Sequence, residues 1–355
     1  MIRWREGVVR AVRREWAGAV ELEVATGTES CRALAYPALT GRPEPGDRVL
    51  LNTTALDLGL GTGGYAFVVA IPDRLPAGEA VPGHMVKARY TPLQATVLGV
   101  DEQGSPHHAV LRDADDLDGM PVVVADLHSA LPAILAGARA STAGGPPRAV
   151  YVMQDGGALP AWFSRTSAGL REAGWLAGTI TVGQALGGDL EAATLHTGLL
   201  AARHVLGAGL AVVTQGPGNL GTGTRWGFSG VACGEAVNAA AVLHGRPVAS
   251  LRISQADPRD RHRGISHHSL TAYARVALAP AEVVVPALDG EFGQLVASQA
   301  EVLRERHRLV RVPLDGLYDA LRSTPVPLST MGRTLNQDPG YFLAAAAAGR
   351  HAAVS

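Results

Sequence analysis

The stretch 252–268, RISQADPRDRHRGISHH, places four arginines, three histidines and two aspartates in seventeen residues of a chain that is only 18% charged. Guanidinium forks match phosphate and carboxylate oxygens, so Arg252, Arg259, Arg261 and Arg263 read as an anion clamp, with Ser254 and Asp257 beside them. Imidazole titrates near neutrality, which makes His262, His267 and His268 candidates for general acid or base. A divalent metal is the candidate cofactor, with His267 or His268 joined by Asp126, His128, Asp155, Asp189 or Asp257. Adjacent side chains usually diverge, so at most one of His267 and His268 is expected at any one site.

Four other segments carry similar chemistry, each directly after an apolar run. Asp126 and His128 follow 121–125. Asp155, Gly156 and Gly157 follow 149–153, and Gln184 and Asp189 follow 178–182. The segment 215–224, QGPGNLGTGT, follows 210–214. In it Gln215 precedes Gly216, Gly218, Gly221 and Gly223, whose bare backbone lets peptide N–H groups converge on an anion, helped by the Thr222 and Thr224 hydroxyls. There is no Gly-Lys-Ser/Thr of a Walker loop. The span 216–221 has the form G-x-G-x-x-G, but Pro217 removes a donor and no acidic residue falls about twenty positions on at the end of a next strand. A small anion is therefore expected rather than a dinucleotide. The competing reading is a glycine-rich turn crowded by neighbouring backbone. Asp189 also fits a helix N-cap. His107, His108 and His307 read as surface residues.

Elements that could position these groups follow from the periodicity. Up to residue 75, short runs at 8–12, 20–24, 31–36, 48–52 and 65–71 are separated by Gly and Pro turns, which predicts a small β-barrel or sandwich. GLGTGG at 59–64 reads as a turn between two of these strands. Residues 76–118 read as a linker, rich in proline over 72–83, and a hairpin of 95–100 with 108–111. From 119 to 323, apolar runs of four to six residues alternate with longer helical patterns, which predicts an α/β domain with a mainly parallel sheet and flanking helices. All the polar segments then lie on the C-terminal edge of that sheet, where ligands bind. Residues 324–355 read as a tail with a short helix at 342–348.

Composition excludes several classes. The net charge of −1 and an aromatic content of 5% argue against nucleic-acid binding. Cys31 and Cys233 are too few and too far apart for a disulfide framework or a zinc motif. No run approaches the roughly 18 apolar residues of a membrane span, and no apolar leader follows Met1, so a cytoplasmic protein with no membrane partner is expected. The alanine-rich stretch 236–241 suggests an apolar surface that could serve a homo-oligomer.

The motifs VMQDGGALP (152–160), TVGQALGGDLEA (181–192), QGPGNLGTGTRWGFSG (215–230) and STMGR (329–333), together with 83–94 and 252–268, resemble a bacterial family of unknown function, domain of unknown function 3866. The resemblance runs over nearly the full length and implies no activity, cofactor or site residue. The residues themselves point to an enzyme acting on a small anionic metabolite, phosphorylated metabolites included, by hydrolysis or group transfer. The alternative is a non-catalytic metabolite- or nucleotide-binding regulatory protein, which uses the same residue types.

Overall fold

Alternation at period two builds the first of two units. The computed structural model describes residues 1–61, 63–78, 82–142 and 144–354, divided into Met1–Val97 and Leu98–Ser355. Thr62 of the 59–64 turn and residues 79–81 of the expected linker lie outside the described residues. Strands β1 (Trp4–Trp16), β2 (Ala19–Thr26), β3 (Glu29–Ala35), β4 (Arg48–Asn52) and β5 (Ala66–Ala70) close a barrel in the order β1-β2-β3-β5-β4. Val9, Leu22, Val24, Leu51 and Val68 are among the residues that fill it. The long β1 can serve two neighbours because its register shifts between Val9 and Ala11 and again between Val12 and Arg14; such irregularities bend and coil a strand.

The hairpin after the barrel differs from the expectation. β6 (Met85–Lys87) pairs with β7 (Ala95–Val97), so the second strand pairs backward. His108–Leu111 is one turn of helix instead of a strand, beginning just after Pro106, whose fixed φ suits a helical start.

The second unit carries one large sheet. Its strands are β8 (Pro121–Val124), β9 (Ala149–Gln154), β10 (Gly178–Val182), β11 (Leu190–Ala192), β12 (Leu210–Gln215) and β13 (Arg246–Ser250). After a short antiparallel pair, β14 (Ile253–Ser254) with β15 (Gly264–Ile265), come β16 (Glu282–Pro286) and β17 (Arg308–Val312). The order is β11-β10-β9-β12-β8-β13-β16-β17, and every neighbouring pair is parallel. The strands read as apolar runs because both faces are covered. Val122 and Val124 face a core shared with helices Leu195–His204, Ala232–Val242 and Gly290–Ala300. Val123 faces the opposite core, with helices Leu131–Arg139 and Pro339–Val354.

The C-terminal helix spans Pro339–Val354, longer than the predicted 342–348, and it is part of the core. A Cβ on Gly137 would lie 1.9 Å from the Ala346 carbonyl oxygen, and one on Gly349 would lie 1.8 Å from that of Ile134. The run 344–348 is therefore a packing face whose small residues let two helix backbones meet. Ala236, Ala239 and Ala240 of the stretch 236–241 are likewise buried within the unit, and Ala241 is half-buried. No helix among the described residues is long and apolar enough to cross a membrane.

Candidate functional site

The three central strands of the sheet end in the residues that matter most. β8 leads to Asp126, β12 ends at Gln215, and β13 leads to Arg252. From β8 the chain passes to β9 through helix Leu131–Arg139 on one face. From β13 it passes to β16 through residues packed on the other face, Ala272 and Tyr273 among them. The connections leave in opposite directions, so the end of β8 is a topological switch point, where open α/β sheets form a crevice.

Asp126 is the hub of that crevice and is 4% exposed. Its Oδ2 accepts from Arg252 Nη1 at 3.0 Å and from His268 Nδ1 at 3.0 Å. Its Oδ1 accepts from Asn219 Nδ2 at 3.0 Å, and its main-chain carbonyl accepts from Gln215 Nε2 at 2.8 Å. Ser229 Oγ in turn donates to Asn219 Oδ1 at 2.9 Å. A Cβ on Gly230 would lie 1.9 Å from Asp126 Oδ1, so this glycine makes room for the carboxylate. Burial alone would raise the Asp126 pKa. The hydrogen bond from His268 and the charge of Arg252 outweigh it and hold the carboxyl below its usual range. Asp126 is thus ionised at neutral pH and can only accept, so Nδ1 of His268 donates to it, with Arg252 Nη1 also 3.1 Å from that nitrogen. Nε2 of His268 makes no hydrogen bond among the described residues.

Two more histidines join His268. One ring nitrogen from each of His262, His267 and His268 lies within 4.8 Å of the others. His262 uses Nδ1 on Ser266 Oγ at 2.7 Å, and His267 Nε2 is sealed from solvent with no hydrogen-bond partner. Phe228 stacks on His268 at a ring-centroid distance of 3.8 Å, which fixes the plane of that ring. Burial, followed by neighbouring positive charge, lowers the His262 pKa to about 3; burial likewise lowers that of His267 to about 4. Both are neutral at pH 7, the form that binds metal. The cluster could coordinate a divalent metal. His268 backed by Asp126 is the carboxylate–histidine pairing that orients metal ligands.

Residues 32–349 match the family described as protein of unknown function, DUF3866. The chain belongs to that family. The matched span of this DUF3866 protein runs from β3 of the barrel into the last helix, and so includes every residue of the crevice. None of the curated proteins compared with the chain matches it.

His267 and His268 both join the cluster, against the expectation that at most one would. Ser266 caps a helix, its Oγ accepting from His268 N at 3.2 Å, and the histidines are the first two helical residues. Successive helical side chains are about 100° apart, unlike the opposed side chains of a strand, so both reach one place. The metal partners expected for them differ as well. Asp126 stands behind His268 as an orienting group, and His262 supplies the third nitrogen.

The four arginines do not form one clamp. Arg252 is buried on Asp126. Arg259 pairs with Asp257 at 2.8 Å, and Arg333 reaches the same carboxylate at 3.3 Å. Ser254 Oγ donates to Asp338 Oδ2 at 2.6 Å. Ser254 and Asp257 thus tie the stretch to the C-terminal segment. The side chains of Arg261 and Arg263 are exposed.

The flanking candidates are placed as follows. Asp155 Oδ2 accepts from Gln184 N at 2.9 Å, joining the loops after β9 and β10. Asp189 lies at the opposite edge of the sheet. Its Oδ2 accepts from Thr179 N, at the start of β10, because the chain turns back through Gly187 and Gly188 before β11 begins. It caps no helix. His128 is satisfied on both nitrogens, by Tyr151 OH at 2.9 Å and Ser164 Oγ at 2.7 Å, and burial lowers its pKa to about 4.

The glycine segment divides in two. Cβ atoms on Gly156, Gly157 and Gly216 would lie 2.7 Å from Gln215 Oε1, 2.3 Å from the Gly216 carbonyl and 2.2 Å from the Ala158 carbonyl. At Gly157 and Gly216 backbone meets backbone, and at Gly156 a side chain fills the space. Beyond Gly218, residues 220–227 fold on themselves. Thr222 N donates to Gly227 O at 2.7 Å, Gly227 N donates to Thr224 Oγ1 at 3.1 Å, and Gly221 bridges to Phe228. Gly223 takes a positive φ at the tip. Several amides expected to face an anion are therefore already bonded.

Sequence reasoning missed Asn219, Ser229, Ser266 and Phe228. Their only signal is proximity in sequence to groups that were singled out. It also placed His307 on the surface, whereas this residue is buried with Nδ1 bonded to Ala281 N and Nε2 to the Tyr273 carbonyl. His267 further borders a cavity of about 450 Å³.

Proposed function

We propose that this DUF3866 protein is a metal-dependent enzyme that acts on a small anionic metabolite by hydrolysis or group transfer, at the C-terminal edge of the sheet. One observation carries the reading. Three histidines gather at the switch point, none with a hydrogen bond on Nε2 among the described residues, and a buried carboxylate orients one of them.

Three imidazoles suit zinc and related first-row ions. Such an ion with an open coordination position polarises a substrate oxygen and lowers the pKa of bound water to about 7. The chain's own residues do the rest. Asp126 fixes the His268 tautomer, Arg252 holds Asp126, and Phe228 and Ser266 fix the rings of His268 and His262.

The test is to strip the full chain with chelator, restore Zn²⁺, Mn²⁺ or Co²⁺ separately, and assay small phosphate and carboxylate esters. Turnover that requires metal and vanishes in His268→Ala is expected. Metal binding unaltered in His268→Ala, with no turnover of any ester, would overturn the proposal. Ligand binding without turnover would favour a regulatory protein.

A further inference from the structure

The cavity beside His267 has a composition of its own. At about 450 Å³ it falls within the range of small-ligand pockets, about 300–1,000 Å³. Arg225, Arg275 and Arg306 stand in its wall against one acid, Glu305. Arg225 and Arg275 are exposed and have no hydrogen bond or ion pair among the described residues. Arg306 donates Nη1 to the Ala277 carbonyl at 2.6 Å, which steadies its guanidinium and leaves its remaining donors available. Leu270, Ala274 and Val302 supply an apolar side.

These residues come from four places, one of them the short helix Glu301–Glu305 and the Arg306 that follows it. Leu270 follows the two histidines on their short helix. Ala274 and Arg275 lie in the π-helical turn Ala272–Val276 that continues it, a backbone irregularity found frequently at functional sites. Arg225 lies on the exposed 220–227 hairpin, whose base is tied to Asp126 through Asn219 and Ser229. His267 belongs both to this cavity and to the histidine cluster.

Three guanidinium groups against one carboxylate leave an excess of two positive charges. A phosphate monoester carries close to two negative charges at neutral pH, and its oxygens match guanidinium forks. A single carboxylate would leave half of the excess unmatched. The apolar side calls for an esterified organic group rather than free phosphate. We infer that the cavity binds a phosphate monoester, with the phosphate between Arg225, Arg275 and Arg306 and the organic group on Leu270 and Val302. This assignment rests on the proposed function for its catalytic meaning, and names the substrate class of that site.

Phenyl phosphate serves as the probe, with inorganic phosphate and phenol as controls. Binding is followed by calorimetry on the metal-stripped full chain. Phenyl phosphate should bind, more tightly than inorganic phosphate, and phenol should not. Arg225→Gln and Arg275→Gln should each weaken the ester about tenfold, the loss of one charge-assisted contact, with Zn²⁺ affinity unchanged. Both side chains are exposed, and circular dichroism confirms that the variants fold. Ester binding that is absent, or equal in wild type and both variants, overturns the inference. Inorganic phosphate binding as tightly as the ester overturns it in favour of a free-phosphate site. Arginine-dependent binding without turnover sinks the catalytic reading and leaves this one. Turnover with KM unmoved in both variants does the reverse.

Discussion

Two buried histidine sites lie on the same edge of the sheet and differ in what their nitrogens are given to do. His128 and the pair His262 and His267 all have pKa values lowered chiefly by burial, to about 4, 3 and 4. By that measure they are alike. Yet both His128 nitrogens are occupied, and its partner Tyr151 is held further by Thr214 at 3.0 Å. In the cluster each bonded Nδ1 turns a ring without using its other nitrogen. Depressed titration marks burial. Unused bonding capacity, gathered in one place, marks a candidate site.

That contrast is open to attack by mutation. The largest effect is expected from Asp126→Ala, which strands Arg252 as a buried unpaired charge and should cost about 3–5 kcal/mol in urea denaturation. Next comes His128→Ala. It leaves Tyr151 and Ser164 short of a partner and should cost about 1–3 kcal/mol while Zn²⁺ affinity, read by competition with a coloured chelator, stays unchanged. His267→Ala should do the opposite, abolishing tight Zn²⁺ binding at little cost to the urea midpoint, since the nitrogen it removes bonds to nothing. If both variants lose stability and neither loses metal, the two sites are the same kind of thing and the contrast fails. Ser266→Ala tests the support of the rings and should weaken Zn²⁺ about tenfold.

The smallest effect belongs to a control far from either site. Glu282 accepts from His351 at 2.6 Å and from Arg246 at 2.6 Å, and also from Arg308. Burial raises its pKa, but these bonds together outweigh burial and hold it below the ordinary carboxylate value. A carboxyl depressed in the folded state stabilises above its unfolded pKa of about 4.3 and loses that contribution as pH falls through the folded value. The wild-type urea midpoint should therefore fall more steeply on acidification below about pH 4.3 than that of Glu282→Gln.

Much of this architecture is legible in the residues, for reasons that also show where legibility stops. A parallel strand dry on both faces must be apolar throughout, so β8, β9 and β12 stand out. The N-terminal strands stand out by alternation. The pairing of Arg333 with Asp257, and of Ser254 with Asp338, joins distant segments, and no local pattern announces it. A run such as 252–263 therefore looks richer in free charge than it is. Asp189 misleads for another reason. The chain doubles back through Gly187, at φ 90°, and carries the aspartate to the far edge of the sheet. His267 and His268 look divergent only if their backbone is assumed to be extended.

The position of β8 bears on how the histidine cluster comes to form. It is the first strand of the sheet in sequence, yet it lies between β12 and β13, both made much later. Asp126 accordingly waits for Gln215, Asn219, Arg252 and His268, and each side-chain hydrogen bond that it accepts spans a long loop of chain. Pairings of that kind form slowly, because loop closure must precede any gain from contact. A partly folded chain can hold much of its helix and still lack the three-histidine pocket. Acquisition of metal would then signal that the central strands have found their partners, so the ion would report on maturation during biosynthesis.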